Sequence, residues 1–246
     1  MNILITAGNT QTPIDRVRVI TNVFTGKTGA RIATCAWARG HTVTLCTSNI
    51  DALPSVPEMP EGAEKRLSVF QYSTFDDLTG LLQQLLRTQT FDAIIHSAAV
   101  SDYLVAGTYL PADRSFFNAR TKEWECRNGP PGMVERDPNT KMNSREPEMW
   151  VRLVRAPKLV DRFKTQWGFD GLLVKFKLEV GLSDSDLVTT AEASRVQSQA
   201  DLMVANTLEG SQHWAYLGPN DGRYERVPRR EMAERLVMLV EHLRRR

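Results

Sequence analysis

The beginning of the chain combines residue types that bind and neutralise phosphate. A short apolar run leads into a polar segment that carries Arg18 and Asn22, and this segment reaches a Gly-Lys-Thr-Gly sequence at residues 26–29, where a helical pattern begins. Unpaired backbone N–H groups and the dipole at a helix start favour anions. The pattern predicts a β-α-β unit whose first loop carries more polar side chains than a simple cofactor turn, and it indicates nucleotide chemistry. Two further charged residues of this loop are Asp15 and Arg16.

Two glycine positions are the first candidates for close contact with a phosphate. Gly8 follows the first predicted strand, where glycine lets the backbone turn tightly and approach a ligand. Gly26 and Lys27 imitate the end of a P-loop, but a Walker A motif requires glycine five positions before Gly26, where Thr21 stands. The G-x-G-x-x-G fingerprint of dinucleotide-binding folds is also absent. The helix start therefore either binds a triphosphate or only packs closely, and the residues alone leave both interpretations open.

A second group of candidates follows the fourth predicted strand. Ser97 and Ala98 are small residues, so a ligand can lie against the strand ends there, as in other open α/β sheets. Asp102 can accept hydrogen bonds from a ribose or a base, or support Mg²⁺ through water. A polar strand end also needs no function, and this alternative stays open.

Lys141, followed by Asn143 and Ser144, is the third candidate. A lysine on a mobile segment is usually solvated surface, but a lid that brings a cation to a developing phosphate charge has the same sequence pattern. The histidines show no metal-ligand spacing and are interpreted as structural or exposed: His41, His96 and His213.

Apolar runs that alternate with amphipathic stretches predict a parallel sheet with crossover helices. The predicted strands are Ile3–Thr6, Thr42–Cys46, Leu67–Gln71, Ala93–Ser97, Trp150–Val154, Leu172–Lys177 and Leu202–Ala205. The predicted helices are Lys27–Arg39, Phe75–Arg87, Lys158–Gln166, Asp184–Gln197 and Arg230–Arg244. Near the end, His213–Leu217 and Tyr224–Val227 flank a Gly- and Pro-containing loop, which predicts an antiparallel hairpin.

Two stretches interrupt this pattern. Ser48–Ala63 is rich in proline and acidic residues and is predicted to be a surface loop. Leu104–Thr140 contains several prolines and glycines and few periodic apolar positions. So long an irregular stretch is typical of a lid, a partner-contact arm or disorder.

Composition narrows the function classes. The chain has 246 residues and a net charge of +2, so no global field favours nucleic acid or a membrane surface. Its three cysteines lack metal-ligand spacing, which suits reduced thiols. No apolar run approaches the ~20 residues of a membrane span, and the chain enters a strand at once. We therefore expect a soluble cytoplasmic protein that has no signal peptide and binds neither nucleic acid nor membrane.

Six motifs together resemble the phosphopantothenoylcysteine synthetase family, the phosphopantothenate–cysteine ligases of coenzyme A biosynthesis. They run in family order across nearly the whole chain: LITAGNTQTPIDRVRVITNVFTGKTG, DAIIHSAAVSDY, KMNS, LVRAPKLV, KFKLEV and QADLMVAN. The chain is most similar to the monofunctional bacterial form. The resemblance implies one domain over residues 1–246 with a Rossmann-like three-layer α/β/α fold. Its mostly parallel central sheet would carry a flap or dimer arm at 104–140 and a C-terminal hairpin and helix.

The resemblance also implies an activity and its partners. The family joins 4′-phosphopantothenate to L-cysteine through an acyl-nucleotidylate, with CTP or ATP as co-substrate and Mg²⁺ as the metal. Bacterial members generally prefer CTP, which gives an acyl-CMP intermediate. Members are commonly homodimers in which the flap reaches toward the neighbouring subunit. The metal-binding residues stay unknown.

By motif position, Asn22 and its companion Arg18 match the residues that contact the acyl-nucleotidylate, and Lys141 matches the lysine of the flap. Gly8 belongs to the first motif, and Gly26 and Lys27 are expected to bind phosphates. The positions that match contacts to the base and ribose are Ser97, Ala98, Asp102, Pro157, Lys158, Leu159, Val160 and Phe176.

The chain departs from the family pattern at several positions. Ser194 and Ser198 stand where fused bacterial enzymes place two lysines, and Lys175 stands where a glycine often precedes the phenylalanine. Thr207 replaces an acidic residue, and the flap motif is reduced to Lys141 alone. These departures bear on nucleotide choice and on the supply of positive charge.

Two other functions stay open on the sequence. The β-α-β start is shared with short-chain NAD(P)-dependent oxidoreductases, but the glycine fingerprint is missing and Gly107 occupies the fourth position after Tyr103, where a Tyr-x-x-x-Lys pair needs lysine. A catalytically silent nucleotide-binding protein of the same fold is the other alternative.

Overall fold

The computed structural model of the protein describes residues 1–53, 66–141, 143 and 145–245. The chain divides into two compact units, the first formed by Met1–Thr10, Val23–Val100 and Lys158–Arg246, the second by Gln11–Asn22 and Ser101–Pro157. Of the predicted surface loop Ser48–Ala63, residues 54–63 lie outside the described residues, and its beginning contains a short 3₁₀ turn at Ile50–Ala52. Ser144 also lies outside them. No described helix has both the length and the apolar character needed to cross a bilayer.

An eight-stranded sheet forms the centre of the first unit. In spatial order its strands are β15 (Arg223–Pro228), β14 (Trp214–Asn220), β13 (Leu202–Thr207), β12 (Leu172–Glu179), β6 (Ala93–His96), β1 (Asn2–Ala7), β4 (Thr42–Thr47) and β5 (Leu67–Gln71). The neighbours from β13 to β5 pair in parallel, and β14 and β15 add an antiparallel hairpin at one edge. The predicted mostly parallel sheet is confirmed.

In the described residues, five helices cover the two faces of this sheet: α1 (Lys27–Ala38), α2 (Phe75–Thr88), α3 (Leu159–Thr165), α4 (Asp184–Gln197) and α5 (Met232–Arg244). Helices α1 and α5 share one apolar core with alternate residues of the central strands. On the opposite face, Phe163 of α3 packs edge-on against His96, and Leu187 of α4 packs against Met203. Helix α2 belongs to that second face because a parallel crossover from β5 back to β6 is right-handed. The result is the expected three-layer α/β/α arrangement.

Burial on both faces explains why the central strands read as continuous apolar runs. Residues Ile3, Leu4 and Ile5 of β1 all have 0% exposure, as do Ile94 and Ile95 of β6. A parallel sheet between two helical layers buries both strand faces, so side-chain alternation between apolar and polar is lost. The carboxyl ends of these strands, where the polar candidates stand, are thereby held in fixed register.

The second unit is built from short antiparallel strands. A three-stranded sheet contains β7 (Tyr103–Pro111) between β10 (Met133–Arg136) and β11 (Trp150–Arg155), and two hairpins pair β2 (Gln11–Pro13) with β3 (Val19–Thr21) and β8 (Ser115–Asn118) with β9 (Glu123–Cys126). Residues 104–140, an irregular stretch by sequence, therefore contain strands, and their role as a lid or partner-contact arm stays a prediction. Apart from Gly107, which lies inside β7, the prolines and glycines of this segment lie at strand ends and turns. Strands β8, β9 and β10 have four residues each, and β10 is exposed along its whole length. Trp150–Val154 is a strand, as predicted, but it belongs to this antiparallel sheet and not to the central one.

Local chemistry sets the element boundaries of the first unit close to the predicted ones. The Ser183 side chain accepts the backbone N–H of Asp186, which caps α4. Gly40 follows α1 with φ +92°, a left-handed conformation that glycine adopts without strain. In the C-terminal hairpin, the turn is Asp221-Gly222, with φ values of 47° and 77°. Gly218 and Pro219, predicted as part of the loop, instead lie in β14.

Helices α1 and α5 are joined by a charged cluster around Glu241. Arg39 donates to both carboxylate oxygens of Glu241, at 2.8 and 2.7 Å, and His41 Nε2 lies 2.8 Å from Oε1. Hydrogen bonding to Arg39 and, to a smaller degree, His41 lowers the pKa of Glu241 from 4.5 to about 2. A carboxylate whose pKa is lowered on folding stabilises the protein at pH values above its unfolded pKa.

We expect Glu241→Gln to lower the free energy of unfolding by roughly 1–2 kcal/mol at pH 7, because Arg39 loses a charged acceptor. The difference from the native chain should shrink as the pH falls from 4.5 toward 2, the range over which folded Glu241 becomes protonated. Urea denaturation at pH 7 and at pH 3 measures both effects. Glu234→Gln, an exposed acid of the same helix, is the matched control, and an equal effect of the two variants at pH 7 would contradict the assignment.

Candidate functional site

The loops that follow β1 and β6 lie side by side beyond the carboxyl ends of these strands. The Ala99 backbone N–H donates to the Gly8 carbonyl at 2.8 Å, and the Thr10 N–H donates to the Ala99 carbonyl at 3.3 Å. Gly8 has φ +90°, and a Cβ there would lie 2.1 Å from Ser48 Oγ. Only glycine fits this position. The loops meet where open α/β sheets bind ligands.

The start of α1 packs against this turn backbone to backbone. Gly26 has φ +81°, and a Cβ there would lie 2.8 Å from the Gly8 nitrogen. No side chain caps the helix, and its first turn contains no acidic residue. Among the described residues, the first N–H of the helix to find an acceptor is that of Ala30, which donates to the Gly26 carbonyl at 3.1 Å. The preceding N–H groups and exposed Lys27 therefore form an arrangement suited to a phosphate.

Gly29 brings the first turn of α1 onto the strand ends. A Cβ at Gly29 would lie 2.5 Å from Ser97 Oγ and 2.6 Å from Ala7 Cβ. The Ser97 hydroxyl donates to the Thr6 carbonyl at 2.6 Å, which leaves its oxygen available as an acceptor. The Ala98 N–H donates to Thr6 Oγ1 at 3.2 Å. The structure therefore brings together four predicted ligand-contact residues, Gly8, Gly26, Ser97 and Ala98, and the backbone N–H of Ala98 already has an acceptor.

The predicted base-contact residues of α3 and β12 do not converge through their side chains. Leu159 and Val160 have exposures of 1% and 7%, so their side chains are core residues. Phe176 packs against the α1–α5 core, whereas α3 covers the opposite face of the sheet. Any contact of Leu159 or Val160 with a ligand would have to use the backbone. Lys158, the N-terminal cap residue of α3, is exposed.

A buried polar cluster beneath α3 was missed by the sequence interpretation. Lys175 Nζ donates to the Ser194 carbonyl at 2.9 Å and to Ser198 Oγ, and lies 3.9 Å from Asp161 Oδ1. The two serines noted as departures are therefore hydrogen-bond partners of Lys175. Burial lowers the pKa of the Lys175 ammonium, an effect that Asp161 opposes. One signal for this cluster was present: Lys175 and Lys177 share one face of a strand that is otherwise largely apolar.

His96 forms the other edge of this cluster. Its Nδ1 lies 2.9 Å from Thr6 Oγ1, and it pairs in register with Lys175. Burial and then the neighbouring Lys175 charge lower the pKa of His96 to about 4. The imidazole is therefore neutral at pH 7, which fits the structural interpretation of this histidine.

In the second unit, Asp15 organises the turn between β2 and β3. Its side chain, with the residue 5% exposed, accepts the backbone N–H groups of Val17 and Arg18 at 2.8 Å each. The second carboxylate oxygen accepts Arg18 Nη1 at 2.8 Å. Because Asp15 fixes both the backbone and one side of the guanidinium, Arg18 is held in one orientation.

The other predicted residues of the second unit occupy element ends. Asn22 follows β3 directly, exposed Asp102 precedes β7, and exposed Pro157 ends the unit. The Asp102 carbonyl accepts the Ala156 N–H at 2.8 Å, which ties the start of β7 to the end of β11. Lys141 is exposed and lies outside any helix or strand. Arg18, Asn22 and Asp102 thus belong to the same compact unit.

The described part of the chain offers no ready metal site. It contains no group of three or more His, Cys, Asp or Glu side chains placed to hold a metal ion.

This chain matches known proteins in both sequence and structure. Residues 1–109 match the DNA/pantothenate metabolism flavoprotein C-terminal domain family. The coenzyme A biosynthesis bifunctional protein CoaBC of Thermococcus kodakarensis is 31% identical over 247 aligned positions, which cover 98% of this chain and 51% of that protein. The crystal structure of the DNA/pantothenate metabolism flavoprotein from Streptococcus pneumoniae aligns over 99% of both chains, with a TM-score of 0.72 and 26% identity.

Over nearly its whole length the chain is similar to phosphopantothenoylcysteine synthetases. The same fold occurs in a Cab2 mutant in complex with phosphopantothenate-cysteine, which aligns over 99% of this chain and 86% of that one with a TM-score of 0.71 and 19% identity. The chain spans about half the length of the curated CoaBC relatives it matches.

This similarity agrees with the geometry at the strand ends. The long polar loop after β1 and the glycine-dependent start of α1 replace the dinucleotide fingerprint, so the oxidoreductase alternative is not favoured. The roles of the individual site residues stay predictions. In the first unit these residues are Gly8, Gly26, Lys27, Ser97, Ala98, Lys158, Leu159, Val160 and Phe176, and in the second they are Arg18, Asn22, Asp102, Lys141 and Pro157.

We expect Gly29→Ala to destabilise the protein by roughly 1–3 kcal/mol, because its Cβ would overlap Ser97 and Ala7. Alanine otherwise favours a helix, so the matched control is Gly80→Ala in α2, where a Cβ meets nothing within 4 Å. The control should gain about 0.5–1 kcal/mol. Urea denaturation compares the two variants, and a similar gain at both positions would refute the close approach of α1 to β1.

Proposed function

We propose that the protein is a ligase that joins 4′-phosphopantothenate to L-cysteine through an acyl-nucleotidylate intermediate. The observation that carries this proposal is the glycine-dependent meeting of α1 with the β1 and β6 loops, which presents unpaired N–H groups at the strand ends. The similarity to this family, and the coenzyme A role named for the CoaBC relatives, supply the substrate class.

The reaction proceeds in two displacement steps. A carboxylate oxygen of phosphopantothenate attacks the α-phosphorus of the nucleoside triphosphate, and pyrophosphate leaves. The cysteine amine then attacks the activated acyl carbon, the nucleoside monophosphate leaves, and the amine loses a proton to form the amide. Both steps develop negative charge on phosphate oxygens, so preorganised N–H groups and cations lower the barrier.

The proposed roles of the residues follow from what each side chain offers. The backbone around Gly26, with Lys27, binds phosphate oxygens. Arg18, held in place by Asp15, and Asn22 offer donors to the acyl-nucleotidylate. Lys141, which is exposed and lies outside any helix or strand, supplies a positive charge.

Nucleotide, metal and assembly are parts of the same proposal. We infer that CTP is the preferred co-substrate, with ATP as the alternative, and that Mg²⁺ binds with it and neutralises phosphate charge. A homodimer acting in the cytoplasm is the accompanying hypothesis. Each part follows from the family resemblance.

Pyrophosphate release tests the reaction. With phosphopantothenate, cysteine, Mg²⁺ and CTP we expect continuous release, and with ATP a slower rate. When cysteine is omitted, release should stop after about one equivalent per site, because the acyl-nucleotidylate has no acceptor. Absence of release with either nucleotide would refute the ligase, and CTP binding without turnover would instead support the silent nucleotide-binding alternative.

Variants test the assigned residues. Lys141→Ala and Asn22→Asp should each reduce turnover by at least about a hundredfold, since each removes a favourable donor from the charged transition state. Neither change should alter the thermal unfolding midpoint by more than a few degrees, because Lys141 is exposed and Asn22 → Asp is isosteric. Arg120→Ala, another exposed cation of the second unit, is the control and should retain activity. Equal activity of Lys141→Ala and the control would remove Lys141 from the mechanism.

A further inference from the structure

Arg229 brings a half-buried guanidinium to the first turn of α1 from the other end of the sequence. It follows β15, and its backbone N–H donates to the His213 carbonyl at 2.8 Å, which fixes the segment that leads into α5. Its Nη2 donates to Thr28 Oγ1. The guanidinium therefore lies beside the second residue of α1, next to the N–H groups that the proposed function assigns to phosphate binding.

Within the described part of the chain, this guanidinium has no carboxylate partner. Among the described residues, neither Arg229 nor its neighbour Arg31 has an acidic side chain within 4.0 Å. Arg31 Nη2 donates to the Arg230 carbonyl at 3.1 Å, so a second guanidinium is held against the same segment. Burial and then the charge of Arg31 lower the pKa of Arg229, which reports an incompletely compensated positive charge.

A purely structural role explains this arrangement poorly. The positive end of the helix dipole disfavours a cation, and a guanidinium cannot accept the N–H groups that need a cap. Half-burial of a charge without a counter-ion costs free energy. An anion bound at the same place would interact favourably with the helix dipole, accept the uncapped N–H groups and neutralise the guanidinium. The planar fork of arginine also matches the oxygens of a phosphate.

We propose that Arg229 is a further phosphate-binding residue of the α1 start, and that it holds the pyrophosphate part of the nucleoside triphosphate. Thr28 orients the guanidinium, and Arg31 adds to the local positive potential. This inference rests on the proposed function for the identity of the nucleotide, but the anion itself is tested without one.

Inorganic pyrophosphate is the probe, because it contains neither base nor ribose. Isothermal titration with the full chain should show Arg229→Gln weakening pyrophosphate binding by about tenfold to a hundredfold, the effect of one charge-assisted contact. Arg230→Gln, whose side chain is 85% exposed, is the matched control and should bind as the native chain does. Raising the salt concentration should weaken the native chain more than Arg229→Gln.

The possible outcomes separate the two proposals. Unchanged pyrophosphate binding in folded Arg229→Gln, or no pyrophosphate binding by the native chain, would overturn the role of Arg229 whatever the ligase assay shows. Arg229-dependent binding without pyrophosphate release from CTP or ATP would keep the anion site and refute the ligase. If Arg229→Gln fails to fold, Thr28→Val removes the orienting hydroxyl and should weaken pyrophosphate binding about threefold to tenfold, and no effect there would equally overturn the proposal.

Discussion

The close approach of the α1 start to the end of β1 is the constraint on which the rest of the first unit depends. Gly26 and Gly29 stand where a Cβ would meet the end of β1, at 2.8 Å from the Gly8 nitrogen and 2.6 Å from Ala7 Cβ respectively. With side chains there, the helix would move away from the strand ends by a distance comparable to an atomic radius. The unpaired N–H groups would then no longer face the loops at 8–10 and 97–99, so the same packing that completes the core also creates the anion site.

Charge placement follows from this geometry. Lys175 and Arg229 are both half-buried cations of the first unit, but their surroundings differ. Lys175 donates to the carbonyl of Ser194 near the C-terminal end of α4, where the helix dipole favours a cation, and Asp161 lies nearby. Arg229 lies near the N-terminal, positive end of α1, and no acidic side chain of the described residues lies within 4.0 Å of it. One cation is internally compensated and the other is not, which is the difference expected between a structural residue and a ligand-binding one.

The sequence predicted those parts of the fold that local chemistry determines. Helix α4 begins where expected because Ser183 caps its N-terminus, and α1 begins at Lys27, directly after Gly26. Apart from β11, the strands of the second unit were not predicted; β10, for example, is exposed along its whole length and shows no alternation of burial. Contacts between residues that are far apart in the sequence could not be predicted either. Arg229 and Thr28 are 201 positions apart, and Lys175 and Ser198 are 23 positions apart. A single sequence carries no local pattern for such pairs.

The Lys175 cluster also gives physical meaning to the departures at 194 and 198. Serines at these positions suit the short reach to an ammonium that comes from β12, whereas a lysine at Ser198 would place a second charge beside the first in a site with 1% exposure at that residue. The positive charge of Lys175 therefore helps to hold α3, α4 and β12 together. On the opposite face, where α1 lies, the cations include Lys27, Arg31 and Arg229. Of these three, Arg229 is the one whose guanidinium is hydrogen-bonded to the side chain of Thr28 in the first turn of α1, so it is the cation best oriented for a phosphate at that position.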